Sequence, residues 1–293
     1  METGTQFEKR IGKAMNLDYS ELPTTEQART AYGLYRAAVG FEPIPGQFLT
    51  TEASNTKLAL GKGRFSIGLS LPPAKSSGSV NLCAFEDSCA ADCVGSGGSN
   101  RFPTAKAGKQ ARLDFLSGSP AHALRMLVDG IDKAVRTHPE GVGVRLNIYS
   151  DLRWERILPS WFWVRFAGVQ FFDYTKHPLR SRPHAGLPVN YRLTYSVSGR
   201  SKSEEITNQL AVGRGVAVVV RVRGGKTDLP DGTRGYRPLP VTGARVVDGD
   251  LNDRRYDDPA GALVVLRRKN NLPELSDLVR GDAELAQILM AVA

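Results

Sequence analysis

Cys83, Cys89 and Cys93 are the only cysteines in this 293-residue chain, and all three fall within the segment CAFEDSCAADC. Structural cysteines scatter through a core as small apolar side chains. Three gathered in one loop, with five and then three residues between them, read as a single thiolate cluster. An odd count this close together argues against a disulfide framework and for a reducing compartment. Three thiolates can hold a cuboidal iron–sulfur cluster, leaving one iron for water, substrate or an outside ligand. Zinc would need a fourth donor, from His122, His138, His177 or His184, or from Asp87 or Asp92 within the loop. The paired ligand sets of zinc ribbons and fingers are absent, so the pattern favours a 4Fe–4S cluster over zinc. The third alternative is a reduced, metal-free loop with partly buried thiols.

The elements around this loop read as an α/β protein. Phe7, Ile11, Ala14 and Met15 recur at helical spacing, and Thr24 to Gln27 resemble a cap before ARTAYGLYRAAVG. Two prolines in FEPIPGQF then break the pattern. Residues 1–45 are thus expected to form an N-terminal helical appendage, and 46–293 the cysteine-loop α/β domain. RFSIGLSLPPAKSSGSVNLC reads as two short strands, the second delivering Cys83 at its end. The glycine-rich VGSGGSNRF follows, where Gly97 and Gly98 allow close approach to a cofactor. A helical stretch from about 107 to 137 is interrupted near Ser117 to Pro120. Beyond it, apolar strands alternate with helices: VGVRLNIYS, LPSWFWVRF, VQFFDYTK, YRLTYSVS, SKSEEITNQLAVG, GVAVVVRV, TGARVVD and GALVVLRRK. That alternation predicts a partial (β/α) barrel or a curved, mostly parallel sheet.

Ligands of parallel α/β folds gather at the carboxyl ends of strands. Those ends carry Ser150 and Asp151, then Asp173 and Lys176, then Ser196 and Ser198, then Arg221 and Arg223. Ser150, Asp151, Asp173, Lys176 and Arg221 are therefore the candidate catalytic residues, and Ser196 joins Gly97 and Gly98 as a candidate cofactor contact. VVDGDLNDRRYDDP puts Asp248, Asp250, Asp253, Arg254 and Arg255 in one loop, readable as a tight turn or a cation site outside the EF-hand pattern. Trp154, Trp161 and Trp163 read as packing residues, and His177 and His184 as exposed. No Walker A or dinucleotide fingerprint is present.

Charge adds a partner class. The net +9 is carried by one half: residues 145–269 hold 22 Lys and Arg against 12 Asp and Glu, while the remainder holds 17 against 18. An excess so placed suits an anionic partner, a nucleotide or nucleic acid, or else a solvated basic surface. No apolar run is long enough to span a bilayer, and METGTQFEKR lacks the apolar core of a signal peptide. A cytoplasmic protein with no membrane partner is expected.

NTKLALGKGRFSIGLSLPP, CAFEDSCAADC, VRLNIYSDL, VQFFDYTK and YRLTYSVS together resemble a family of uncharacterised phage-encoded proteins. The resemblance runs from about Asn55 to Ser198 and implies the cytoplasm of a host cell. Some relatives are similar to radical S-adenosylmethionine enzymes, partial barrels with a three-cysteine cluster loop after the first strand. That similarity implies Cys83, Cys89 and Cys93 as cluster ligands and S-adenosylmethionine as a candidate cofactor. The sequence departs from that enzyme class in its wider cysteine spacing, in Asp92 before the last cysteine, and in Tyr149, Ser150 and Asp151 where a Gly-Gly-Glu motif would stand. A non-catalytic nucleic-acid-binding protein with a structural zinc or iron–sulfur site is the alternative.

Overall fold

The computed structural model describes residues 1–42, 47–52, 64–86, 97–223 and 245–268, the single residues 89, 93 and 95, and the short strands 226–228, 234–236 and 279–280. These group into two compact units, the first made of Met1–Ala84, Cys93–Phe171 and Leu187–Tyr191, the second of Phe85–Asp92, Phe172–Gly186 and Arg192–Ala293.

In the first unit, α1 (Gly4–Met15) and α2 (Thr25–Ala37) begin at capping boxes, Thr3 with Gln6 and Thr24 with Gln27. Each satisfies two backbone donors that a helix start leaves open. α3 (Pro103–Gly118) and α4 (Pro120–Thr137) each carry proline in the first turn, where a missing N–H costs nothing. Pro120 therefore breaks the long helical stretch where the sequence indicates. Tyr32 of α2, Phe48 and Phe115 of α3 meet with ring centroids 5.0–5.5 Å apart. Leu124, Leu127, Val128 and Ile131 line the buried stripe of α4.

The first unit's strands run β1-β2-β3-β4: β1 (Thr50–Thr51), β2 (Phe65–Gly68), β3 (Val142–Arg145) and the first two residues of β4 (Gln170–Thr175). Only β1–β2 is antiparallel; β2–β3 and β3–β4 are parallel. The short α5 (Ser160–Arg165) supplies Phe162 and Trp163 to an aromatic cluster with Phe166, Phe171 and Tyr191.

Two expected strands are shorter than the sequence suggests. Cys83 does not close a strand. β2 ends at Gly68, Pro72 and Pro73 follow without donors for a ladder, and Val80 makes only an isolated bridge to Glu2. β3 stops at Arg145, and the Asn147 side chain takes over backbone groups beyond it.

In the second unit the order is β4-β5-β6-β10-β9, with β5 (Tyr191–Ser196), β6 (Gly215–Arg223), β9 (Val246–Asp248) and β10 (Leu263–Arg268). The pairs β5–β6, β6–β10 and β10–β9 are parallel, and β11 (Val279–Arg280) adds to β6 in parallel. α6 (Ser203–Ala211) lays Ile206 and Leu210 over Val216, Val218, Val220, Leu263 and Val265, a βαβ unit with an apolar core. β7 (Lys226–Asp228) and β8 (Arg234–Tyr236) form a separate antiparallel ribbon. The fold is α/β with mostly parallel pairing, and among the described residues no pairing closes the strands into a barrel.

α1 is tied to the segment after β3 by a buried ion pair. Glu8 accepts from the Arg153 backbone N–H at 2.8 Å, from Nε at 2.8 Å and from Nη2 at 2.6 Å. Removing one partner leaves an uncompensated buried charge. Glu8→Ala is expected to lose ~3–5 kcal/mol of unfolding free energy. Glu8→Met with Arg153→Met should cost clearly less than the two single changes summed. Urea denaturation of the four proteins measures this, and strict additivity would contradict it.

Candidate functional site

Tyr149 is the residue around which the first unit gathers its predicted chemistry. The chain reaches it because Asn147, 1 % exposed, bends the backbone after β3. Asn147 Nδ2 donates to the Leu152 carbonyl, while its Oδ1 accepts from Leu152 N, Ser150 Oγ and Trp154 Nε1 at 2.8–3.1 Å. Ser150 is thereby committed to shaping this bend. Asp151 is buried beside it, its N–H donated to the Leu82 carbonyl at 2.9 Å.

Cys83 approaches Tyr149 from the preceding turn, where Asn81 Oδ1 takes the Cys83 N–H at 3.0 Å. The Cys83 thiol points at the Tyr149 carbonyl, 3.7 Å away. On the other side, Cys93 Sγ accepts the Gly95 N–H at 3.4 Å. A Cβ on Gly95 would lie 3.1 Å from the Tyr149 Cβ and from Pro73, so only glycine lets the loop come this close without a shift. Gly97 precedes the short 3₁₀ turn Gly98–Arg101, and Gly98 has φ +54°, which favours glycine.

Lys109 of α3 reaches into the same place. Its Nζ donates to the Gly95 carbonyl at 2.9 Å and to Asn100 Oδ1 at 3.3 Å, and lies 4.9 Å from the Tyr149 ring centroid. Burial pushes its pKa below the ordinary lysine value; Cys93 acts to raise it, while Lys106 and Arg112 lower it further. Sequence reasoning missed this residue and Asn147. The signal for Lys109 was present: it stands four residues before Leu113 and seven before Leu116, on the apolar face of α3.

The cysteines are divided. Cys83 and Cys93 belong to the first unit and Cys89 to the second; none of the three is in a disulfide, and all are partly exposed. Among the described residues no group of three His, Cys, Asp or Glu is arranged as a metal site. Asp87 and Asp92 lie outside the described residues.

In the second unit, Lys176 Nζ donates to Ser196 Oγ at 3.1 Å, joining two predicted residues across the ends of β4 and β5. Asp173 is fully buried in β4. Arg221 lies in β6, with its side chain outside the described residues. His177 is buried, not exposed as expected: its Nδ1 meets Ser181 Oγ at 3.2 Å and its ring packs edge-on against Phe85. His184 is exposed.

The chain matches the family model described as gene product 88 over residues 48–283. It belongs to the gene product 88 family. This is a phage-type family, as the sequence resemblance indicates, and the match spans every cysteine and every predicted site residue. No curated protein and no solved structure matches. In this gene product 88 chain, α1 and α2 fall outside the matched stretch.

The acidic loop after β9 has a partner within the chain. Arg267 Nη1 and Nη2 donate to the two oxygens of Asp248 at 3.0 and 2.9 Å. The Arg267 backbone N–H donates to Asp250 Oδ2 at 2.7 Å. Both carboxylates are buried, so the guanidinium takes the place a cation would hold. A cavity of about 400 Å³ in the first unit is lined by Asp132, His138, Arg165 and Phe166 near the amino ends of β3 and β4; of the residues singled out in the sequence it includes only His138, a candidate zinc donor. No helix among the described residues is long and apolar enough to cross a membrane.

Asn147→Ala would strand three buried donors, and is expected to destabilise the protein by ~2–4 kcal/mol. Chemical denaturation checks this; a loss under ~1 kcal/mol would mean that the bend after β3 does not depend on Asn147.

Proposed function

We propose that this gene product 88 chain is an iron–sulfur protein, its cluster held by Cys83, Cys89 and Cys93. The observation that carries the reading is the confinement of every cysteine to one short loop. The Cys83 thiol on the Tyr149 carbonyl and Cys93 on the Gly95 N–H, with the buried Lys109 against the Tyr149 ring, support it. The donors fit by type, since soft thiolates select iron–sulfur clusters and zinc. Metal binding couples to folding, so a bound cluster would contribute to ordering the loop. The finer reading is a radical S-adenosylmethionine-like enzyme on a partial barrel, acting on a nucleotide or nucleic acid in the host cytoplasm. A bound cluster supplies one-electron chemistry. Lys176 with Ser196, together with Asp151, Asp173 and Arg221, would orient cofactor and substrate, Gly97 and Gly98 would let the cofactor approach, and Ser150 would act through Asn147.

The uneven charge supports a second reading, a non-catalytic nucleic-acid-binding protein with a structural zinc or iron–sulfur site. Phosphate contacts would then make binding fall steeply with salt. Anisotropy titrations at low salt test it, and failure to bind any DNA or RNA there removes it.

For the first reading, oxygen-free purification and reconstitution should give a brown protein with about four irons and matching sulfide per chain. Cys83→Ser, Cys89→Ser and Cys93→Ser should each lose most of that iron, nearly as much as the triple variant, because a cluster missing one thiolate is not partly bound. Colourless protein without iron, or modest and additive losses of stability alone, would contradict the proposal.

A further inference from the structure

We propose that the cavity at the amino ends of β3 and β4 binds a nucleobase, and that guanine is the base it fits best. The site lies within the first unit, at the opposite end of β3 from Tyr149, and does not depend on the iron–sulfur reading. Its volume of about 400 Å³ is that of a small-molecule site, ~300–1,000 Å³. Val135, Pro139, Val142, Phe166 and Val169 supply the apolar wall, and Asp132 of α4 and Arg165 of α5 bring charges of both signs. Those two groups are held before any ligand arrives. Arg165 Nη2 donates to Asp132 Oδ2 at 2.8 Å, and the guanidinium carbon lies 4.5 Å from the Tyr19 ring centroid and 5.7 Å from that of Phe166. Among the described residues, Asp132 Oδ1 and Arg165 Nε and Nη1 make no hydrogen bond. His138, also on the wall, stacks on Phe65 with centroids 3.7 Å apart and meets Glu140 Oε1 through Nδ1 at 2.9 Å.

The paired charges select the ligand. A carboxylate drawn to Arg165 would stand beside Asp132, and an ammonium group drawn to Asp132 would stand beside Arg165. A simple ion of either sign therefore loses much of what it gains. A neutral ring with N–H donors next to a carbonyl meets both groups without that conflict. Unstacked bases are bound in this way, their faces on aromatic rings or guanidinium planes and their edges hydrogen-bonded. Guanine sets N1–H and N2–H beside O6, which gives two donors to the carboxylate and an acceptor to the guanidinium. Arg136 is exposed four residues beyond Asp132, on the same side of α4, where it would meet a phosphate of the same nucleotide.

The test is calorimetric titration of the full chain at low salt with GMP, against AMP, ribose 5-phosphate and phenylalanine. One GMP per chain is expected, bound ~10-fold or more tighter than AMP or ribose 5-phosphate. Asp132→Asn should weaken GMP by ~10-fold or more with little change in melting temperature, since exposed ion pairs add little stability. Gly168 lines the cavity, and a Cβ there meets no atom within 4 Å, so Gly168→Leu adds bulk at the site without a clash. It should weaken GMP as much, and it carries the test should Asp132→Asn not fold. Tighter binding of a short unpaired oligonucleotide containing guanine would assign the site to a strand, and weaker or equal binding to the free nucleotide; either supports the proposal. GMP bound no better than AMP or ribose 5-phosphate, phenylalanine bound in its place, or wild-type affinity in both variants overturns it. Absence of GMP binding overturns it too, and salt-sensitive binding of nucleic acid in that same protein would leave the nucleic-acid reading standing without a base site.

Discussion

Among the described residues no carboxylate pairs with the buried Lys109 ammonium group, which must find its compensation among its neighbours. Lys109 takes the Gly95 carbonyl, Asn100 and the Tyr149 ring; Gly95 in turn gives its N–H to Cys93. These contacts join Cys93, Gly95, Asn100 and Tyr149 to α3. An alanine at position 95 would crowd Tyr149 and Pro73, and a shorter side chain at 109 would leave the Gly95 carbonyl without this donor. Cys93 is therefore held by a network reaching back into α3.

The same logic of buried polar groups shapes the other side of Tyr149. β3 ends after four residues, and the bend beyond it exists because one amide side chain, Asn147, meets four partners that a strand would otherwise have left to a neighbour. Arg153, two residues past Asp151, is then fastened to Glu8 of α1. Orphaned buried polar groups are costly and correspondingly rare, so side chains of this kind decide where a chain leaves a strand.

Periodicity made most of the elements legible. Capping residues located α1 and α2, proline located the break between α3 and α4, and apolar runs located β4, β5, β6 and β10. What periodicity does not contain is side-chain competition for the backbone, which is why β3 was expected to run on to Ser150 and a strand was expected before Cys83. Lys109 escaped notice because lysine on a helix is by default a surface residue, and only its spacing from Leu113 and Leu116 marked it otherwise. Reading strand ends marked Lys176 and Ser196 separately, whereas the hydrogen bond between them is visible only in the fold. The acidic turn after β9 could be read as a cation site from its own residues; its partner, Arg267, lies far along the chain on β10 and is visible only in the fold.

The central claim, that the grouped thiolates hold iron as a cluster, is tested most directly by X-ray absorption at the iron edge of the reconstituted wild-type protein. The account predicts a first shell of sulfur at ~2.3 Å, the range of metal–thiolate bonds, with a second shell of iron. A first shell of oxygen and nitrogen alone, with no iron neighbour, would mean adventitious metal and would contradict it.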